Sequence, residues 1–308
     1  MRKIVGQGKL TKFIASKIGA MHKDNFLKLI YNPHTLTNIV SLVSCGKEIN
    51  LQVVSYSSHR DFSEQVLSIL SFIRYVGTPL SWTIYSDGSH TNSEVTILKA
   101  ALPFVRLVSN TVDEQYFSQI DTKPFIKRHA EVLAHFAQNH CLGKKLLFYL
   151  NHSITEPTLF LDSDVLFYNK ASIFHTIIHQ EAAGWYLPDE VSGCLDSRYE
   201  RNDYVDSSQI NSGFLLLNKE FDTLSEGLSF VRKMNYTYEY FSEQTVFHIL
   251  SKQNELTPFG SEVFILNTRD QFDFSYAYTR DKIAIRHYTG PVRHKMWQRS
   301  WKWQLSLT

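Results

Sequence analysis

The sequence predicts an α/β fold with a mostly parallel central sheet and flanking helices, and three observations point to it. From about residue 49 onward, short runs rich in β-branched and aromatic residues alternate with longer amphipathic stretches, the pattern of strands joined by crossover helices. Several runs end in polar or acidic residues, Ser55, Asp87 and Asp162 among them, as strands do where an open sheet gathers ligands at their carboxyl ends. A chain of 308 residues with 43% hydrophobic content can bury one large core, so disorder is not the default.

The elements follow in order. Residues 1–30 carry Arg2, Lys3, Lys9, Lys12, Lys17, Lys23 and Lys28 against the single acid Asp24. Leu10, Phe13, Ile14, Ile18 and Met21 fall at helical spacing, so this segment either packs an apolar stripe on the domain or lays it on an anionic membrane surface. Packing on the domain is the ordinary expectation for a surface helix. Residues 50–56 read as the first strand, 62–75 as a helix, 81–86 as a second strand ending at Asp87-Gly88, and 104–108 as a third, with a helix from about Ser93 between them. Helical stretches cover about 124–138 and 144–150, and strand 158–161 runs straight into acids. In the second half, 184–187 and 209–217 read as strands, 220–234 and 242–250 as helices, and 263–266 and 283–288 as later strands. The connection 188–208 is long, polar and acidic, which suits a lid or acceptor loop. With no Pro/Gly/Ser-rich linker, the expected organisation is a helical, basic N-terminal extension over 1–48 and one catalytic domain over 49–308.

Composition narrows the function. A net charge of +2 gives no argument for a nucleic-acid partner. Cys45, Cys141 and Cys194 show no CxxC spacing, so neither a disulfide framework nor a cysteine zinc site is indicated, and a reducing compartment is expected. The start lacks a continuous apolar signal core, and nowhere do 18 uninterrupted apolar residues occur. The expected location is cytoplasmic, with peripheral contact on the inner face of a membrane as the variant that the basic N-terminal segment would allow. The 14% aromatic content is compatible with sugar recognition without demonstrating it.

The strongest chemical signal is Leu159-Phe160-Leu161-Asp162-Ser163-Asp164-Val165-Leu166-Phe167. Apolar flanks bury both sides, so two carboxylates arrive together at a strand end, an arrangement that is costly unless a cation neutralises them. Hard oxygen ligands favour Mn²⁺ or Mg²⁺, and a diphosphate can complete the coordination. The second signal is His287-Tyr-Thr-Gly290-Pro-Val-Arg293-His-Lys295-Met296-Trp297, which offers an imidazole ligand, a glycine for close backbone approach and cations for phosphate. Taken together the two segments make a complete metal-diphosphate site.

These residues resemble the retaining family-8 glycosyltransferases, a GT-A group that includes glycogenin and bacterial lipooligosaccharide galactosyltransferases, over roughly residues 49–297. The resemblance implies a GT-A Rossmann-like nucleotide-diphospho-sugar transferase fold. It also implies metal ligation by Asp162, Asp164 and His287, with Ser163 and Gly290 against the cofactor. The family's C-terminal Lys-Pro-Trp is matched only at Trp297, because Arg293 stands where the lysine is expected, Lys295 follows two residues later and Met296 replaces the proline. Arg293 and Lys295 are therefore alternative diphosphate ligands. Asn211-Ser212-Gly213 looks like the family's donor-sugar strand, and Glu243-Gln244 like its Asp-Gln pair, in which the carboxylate holds sugar hydroxyls and the Gln faces the reacting carbon. A donor-contacting helix lysine is similar to Lys145, with Lys144 as an equal candidate.

At the nucleotide end, Ser55 and Tyr56 leave the first strand and Asp87 the second; a Tyr can stack on uracil and an Asp can accept from base or ribose. The expected partners are a UDP-hexose donor and a glycan, lipid or small-molecule acceptor. Two other classes are weighed against this. A haloacid-dehalogenase-type phosphatase would need Thr or Val where Leu166 stands and a later Gly-Asp-x-x-x-Asp or Asp-Asp pair, and neither later motif is present. A non-catalytic nucleotide-sugar binding protein would keep the fold while lacking turnover.

Overall fold

The computed structural model describes residues 8–109, 124–189, 193–200 and 208–307. The chain opens with two helices, α1 (Lys9–Ile30) and α2 (Pro33–Val43). Asn32 sets the start of α2 by accepting the Thr35 N–H at 3.1 Å, with Pro33 in the first turn where its missing N–H is harmless.

The main sheet has seven strands in the order β3 (Val105–Val108), β2 (Thr78–Ser86), β1 (Glu48–Ser57), β4 (Thr158–Asp162), β7 (Gln209–Leu217), β6 (Gly184–Asp189) and β8 (Thr257–Pro258). The first four of these run parallel, β7 is antiparallel to both its neighbours, and β6 and β8 are parallel. The sheet is thus mostly parallel, as the alternating pattern predicts, with β7 inserted against the grain.

The strands expected over 263–266 and 283–288 are present but shorter, and the sequence reading misses both the strand over 165–167 and the fact that the three form a second, separate sheet. β5 (Val165–Phe167) leaves the main sheet and pairs antiparallel with β10 (Ile285–His287), which pairs in parallel with β9 (Phe264–Ile265). A strand of three residues such as β5 is too short to show a period of its own. Two helices are also shorter than expected. The stretch 124–138 is broken at His129 into α5 (Pro124–Arg128) and α6 (Ala130–Asn139), and 220–234 shrinks to α9 (Ser225–Lys233). The expected lid over 188–208 lies outside the described residues at 190–192 and 201–207.

Strand alternation supplies two cores. Val53, Leu159 and Leu161 join the core under α1, α2, α3 (Phe62–Tyr75) and α4 (Asn92–Ala101), whereas Val54, Phe160 and Leu215 join the core under α6, α7 (Cys141–Asn151), α9 and α10 (Ser242–Gln253). Phe26, Ile30, Leu36, Ile39 and Val43 of the N-terminal helices belong to the first of these cores. α3 is buried from Phe62 to Ile73, including Glu64. That charge is matched: Lys23 reaches Glu64 at 2.7 Å, and the Trp297 indole and Ser63 hydroxyl donate to it at 2.9 and 2.8 Å.

After the short α8 (Phe174–Ile177), the chain ends in α11 (Arg293–Gln298) and α12 (Trp301–Gln304). α1 docks on α11 and α12 with Gly19 and Phe26 at the contact, and Ala15 and Ile30 are buried on the same face. Phe26 packs against Trp297 and Trp301 at 5.4 and 5.8 Å, and a Cβ at Gly19 would lie 3.2 Å from the His294 carbonyl. This corrects the expectation that the Leu10-to-Met21 stripe packs on the domain, since α1 docks through its other face. No described helix is long and apolar enough to cross a membrane.

Candidate active site

Backbone pairing gathers the site. β1 and β4 place Tyr56 beside Asp162, and the antiparallel pairing of β5 with β10 sets His287 opposite Val165, the residue after Asp164. An imidazole 123 positions downstream thereby meets the two acids. One ligand atom from each of Asp162, Asp164 and His287 lies within 4.8 Å of the others. His287 Nε2 stands 3.1 Å from Asp164 Oδ1 and 3.8 Å from Asp162 Oδ2. The Asp164 side chain is 2% exposed and that of Asp162 32%, so the trio is buried on one side and open to a cleft on the other.

The hydrogen bonds around His287 decide its tautomer. Asn211 Oδ1 accepts the Gly213 N–H at 3.0 Å, which fixes the amide orientation, and the same oxygen lies 2.9 Å from His287 Nδ1. Nδ1 must then donate, leaving Nε2 to face the carboxylates. Unprotonated, Nε2 would set its lone pair against those of the carboxylates, a repulsion that either a proton or a divalent cation relieves. Two carboxylates and an oriented imidazole form a fitting donor set for such a cation. Gly213 makes the arrangement possible: a Cβ there would lie 2.2 Å from His287 Cε1 and 2.7 Å from Asp162 Oδ2.

Two cations flank the trio. Arg293, at the start of α11, reaches Asp164 at 2.6 Å and Asp61 at 2.8 Å. Burial disfavours its charge, but Asp164 and Asp61 outweigh that and raise its pKa. Burial likewise would push the Asp164 carboxyl up, yet His287 and then Arg293 hold it below the usual carboxylate range. Lys145, with a side chain 2% exposed, lies 2.8 Å from Asp162 and 3.3 Å from Glu243. These two acids overcome its burial and keep its pKa above that of an ordinary lysine.

Lys295 points elsewhere. Its ammonium donates to the Asp273 and Ser275 carbonyls, both at 2.7 Å, and burial pushes its pKa down to about 8. Of the two basic alternatives, only Arg293 lines the cleft.

The cleft has a volume of about 360 Å³ and a polar wall opposite Arg293. Ser212 donates to Glu243 at 2.8 Å, and Gln244 sits at the start of α10 with its amide nitrogen on the Cys194 carbonyl at 2.8 Å. Asp189, Cys194 and Tyr240 also line it, and sequence reading missed all three. Asp189 ends β6, so the strand-end rule that singled out Asp162 applies to it as well. Cys194 and Tyr240 lie outside any strand or helix and carry no periodic signal. Burial and the neighbouring Asp189 carboxylate push the Cys194 thiol up to about 11, so it is a poor nucleophile. A separate open hollow of about 560 Å³, lined by Glu226, Lys233 and Lys252, contains none of these groups.

The remaining candidates divide. Gly290 lines the cleft, and a Cβ there would meet nothing within 4 Å. Ser55 is buried and accepts the Trp82 indole N–H at 3.0 Å, a contact within the core. Ser163 is buried between the two acids without lining the cleft. Asp87 closes its own turn by accepting from the Ser89 backbone and hydroxyl at 2.8 and 2.6 Å, and its carbonyl accepts from Lys144 at 3.1 Å. Tyr56 packs on Phe148 at 6.4 Å beside this turn.

No protein-family model matches the sequence, and comparison with curated proteins gives no match. Solved structures do match. Mouse xyloside xylosyltransferase 1, in its apo form, superposes with a TM-score of 0.51 at 12% identity, covering 79% of this chain and 99% of that one. The apo glycosyltransferase GlyE of Streptococcus pneumoniae superposes with a TM-score of 0.51 at 13% identity, covering 84% of this chain and 63% of that one. Galactosyltransferase LgtC, in complex with donor and acceptor sugar analogues, superposes less closely, with a TM-score of 0.46 at 13% identity over 78% and 87% of the two chains. By its architecture the chain has the GT-A glycosyltransferase fold.

Proposed function

We propose that the protein is a metal-dependent glycosyltransferase that moves a hexose from a nucleotide-sugar, UDP-glucose or UDP-galactose, to an acceptor hydroxyl with retention of anomeric configuration. The observation that carries this reading is the convergence of Asp162, Asp164 and His287 within 4.8 Å, beside Arg293 and facing the Glu243–Gln244 wall. Held by those three side chains, Mn²⁺ or Mg²⁺ would supply Lewis-acid pull on the leaving diphosphate.

The chain's own groups supply the rest. Arg293 exchanges its contact with Asp164 for the diphosphate and neutralises charge that grows as the glycosidic bond breaks. Lys145 ties Asp162 to Glu243 and so locks the metal side of the site to the sugar side. Glu243, Asn211 and Asp189 present oxygens to sugar hydroxyls. Gln244 offers a neutral amide to the face of the oxocarbenium-like carbon, where a stronger base would compete with the acceptor. Tyr56 and Asp87 stand at the neighbouring strand ends, with Lys144 of α7 on the Asp87 carbonyl, where the nucleoside would lie. A phosphatase reading has no support beyond the two acids, because Asp162, Asp164 and His287 form the sole acid–histidine cluster of metal-binding spacing among the described residues.

Hydrolysis of UDP-sugars with and without Mn²⁺ tests the proposal. Metal-dependent release of UDP, lost in Asp164→Asn with the fold intact, is the expected outcome. Tight UDP binding without release would indicate a binding protein instead.

A further inference from the structure

α1 spans 22 residues, a length of about 33 Å, and is apolar on two faces. One face, with Ala15, Gly19, Phe26 and Ile30, is buried against the domain. On the opposite face Leu10, Phe13, Ile14 and Met21 are 71%, 59%, 40% and 53% exposed, and their spacing of three, four and seven residues aligns them along one line of the helix. An apolar strip of this kind in water marks a contact surface.

Its charge selects the occupant. Lys9, Lys17 and Lys28 are exposed on the same helix, Lys17 lies 5.5 Å from the Phe13 ring, and Asp24 is the lone acid of α1. A second copy applied to this face would set lysines against lysines. An anionic bilayer takes both features, because rings and aliphatic chains enter the headgroup boundary while lysine stems lie along it and lift their ammonium groups to the phosphates. We propose that the outer face of α1 is a docking surface for an anionic lipid bilayer. α11 packs on the inner face of the same helix and carries Arg293, so the docking element lies directly against a helix that lines the cleft. The proposal does not depend on which reaction the cleft performs.

Flotation of the full chain with phosphatidylcholine vesicles, with and without phosphatidylglycerol, tests it. Binding is expected only with phosphatidylglycerol and should weaken with added salt. Lys17→Ala and Lys28→Ala should each weaken partition about fivefold, and Phe13→Ser combined with Met21→Ser should abolish it, with melting temperature and UDP-sugar hydrolysis in solution unchanged. Wild-type protein that stays unbound beside phosphatidylglycerol vesicles would overturn the proposal. So would a Phe13→Ser, Met21→Ser variant that floats as well as wild type, or a concentration-dependent dimer that the same two substitutions dissolve.

Discussion

His287 donates through Nδ1 to Asn211 Oδ1 at 2.9 Å, and this bond fixes which imidazole nitrogen faces Asp162 and Asp164. The acceptor comes from β7 and the donor from β10, so two sheets cooperate to aim one ring. Asn211→Ala should free the ring and lower affinity for Mn²⁺ roughly tenfold to a hundredfold. Calorimetric titration of the metal reads this directly; an unchanged affinity would show that the strand alone orients His287.

Gly213 is the one position in the Asn-Ser-Gly run where any side chain collides with the site. An added methyl would meet His287 Cε1 at 2.2 Å and Asn211 Oδ1 at 2.9 Å as well as Asp162. Gly213→Ala should lose metal binding and about 1–3 kcal/mol of stability, measured by urea unfolding with and without Mn²⁺. Wild-type metal affinity in this variant would mean that the trio is not the binding site.

Arg293 and Lys295 sit two residues apart, yet the structure separates their roles. Arg293→Ala should lower UDP-sugar turnover by roughly a hundredfold. Lys295→Met should leave turnover within a few-fold of wild type while the Asp273 and Ser275 carbonyls lose their charged donor, at a stability loss of about 1–3 kcal/mol. Parallel turnover and urea-denaturation measurements on both variants distinguish these outcomes. A comparable fall in turnover for both would assign Lys295 to the diphosphate as well.

The parts legible in sequence are those with a period. β1, β2 and β4 are runs of apolar and β-branched residues, and the acids at the end of β4 stand out because their flanks are buried. The link to His287 is not periodic. It depends on the short pairing of β5 with β10; the chemistry of the His287–Trp297 segment and the family resemblance pointed to the imidazole, but no local pattern showed the pairing that delivers it. In α1, periodicity groups Leu10, Phe13, Ile14 and Met21 on one side without saying which side meets the protein. The smaller Ala15 and Gly19 permit the closer approach and win the interface. Lys295 looks like a phosphate ligand in the sequence because spacing alone does not reveal the carbonyls of Asp273 and Ser275 that capture it.

The strand that carries His287 also carries its most heavily buried charge. Arg286 is fully buried and donates to both oxygens of Asp270 at 2.9 and 2.7 Å, with the rings of Tyr278 and Tyr288 each 4.8 Å from its guanidinium. Asp270→Asn would leave that guanidinium without its counter-charge, at an expected loss of about 3–5 kcal/mol. Burial would raise the Asp270 pKa, but the Arg286 hydrogen bonds outweigh it and hold the carboxyl below the usual range. The folded protein therefore takes up this proton less readily than the unfolded chain. The resulting stabilisation is complete above the ordinary aspartate value of about 3.9 and is lost as pH falls through the lower folded-state value. Urea midpoints followed from neutral pH into acid should fall more steeply for wild type than for Asp270→Asn. If the two acid limbs run parallel, the pair does not anchor β10, and the position of His287 must be set by the β5–β10 pairing alone.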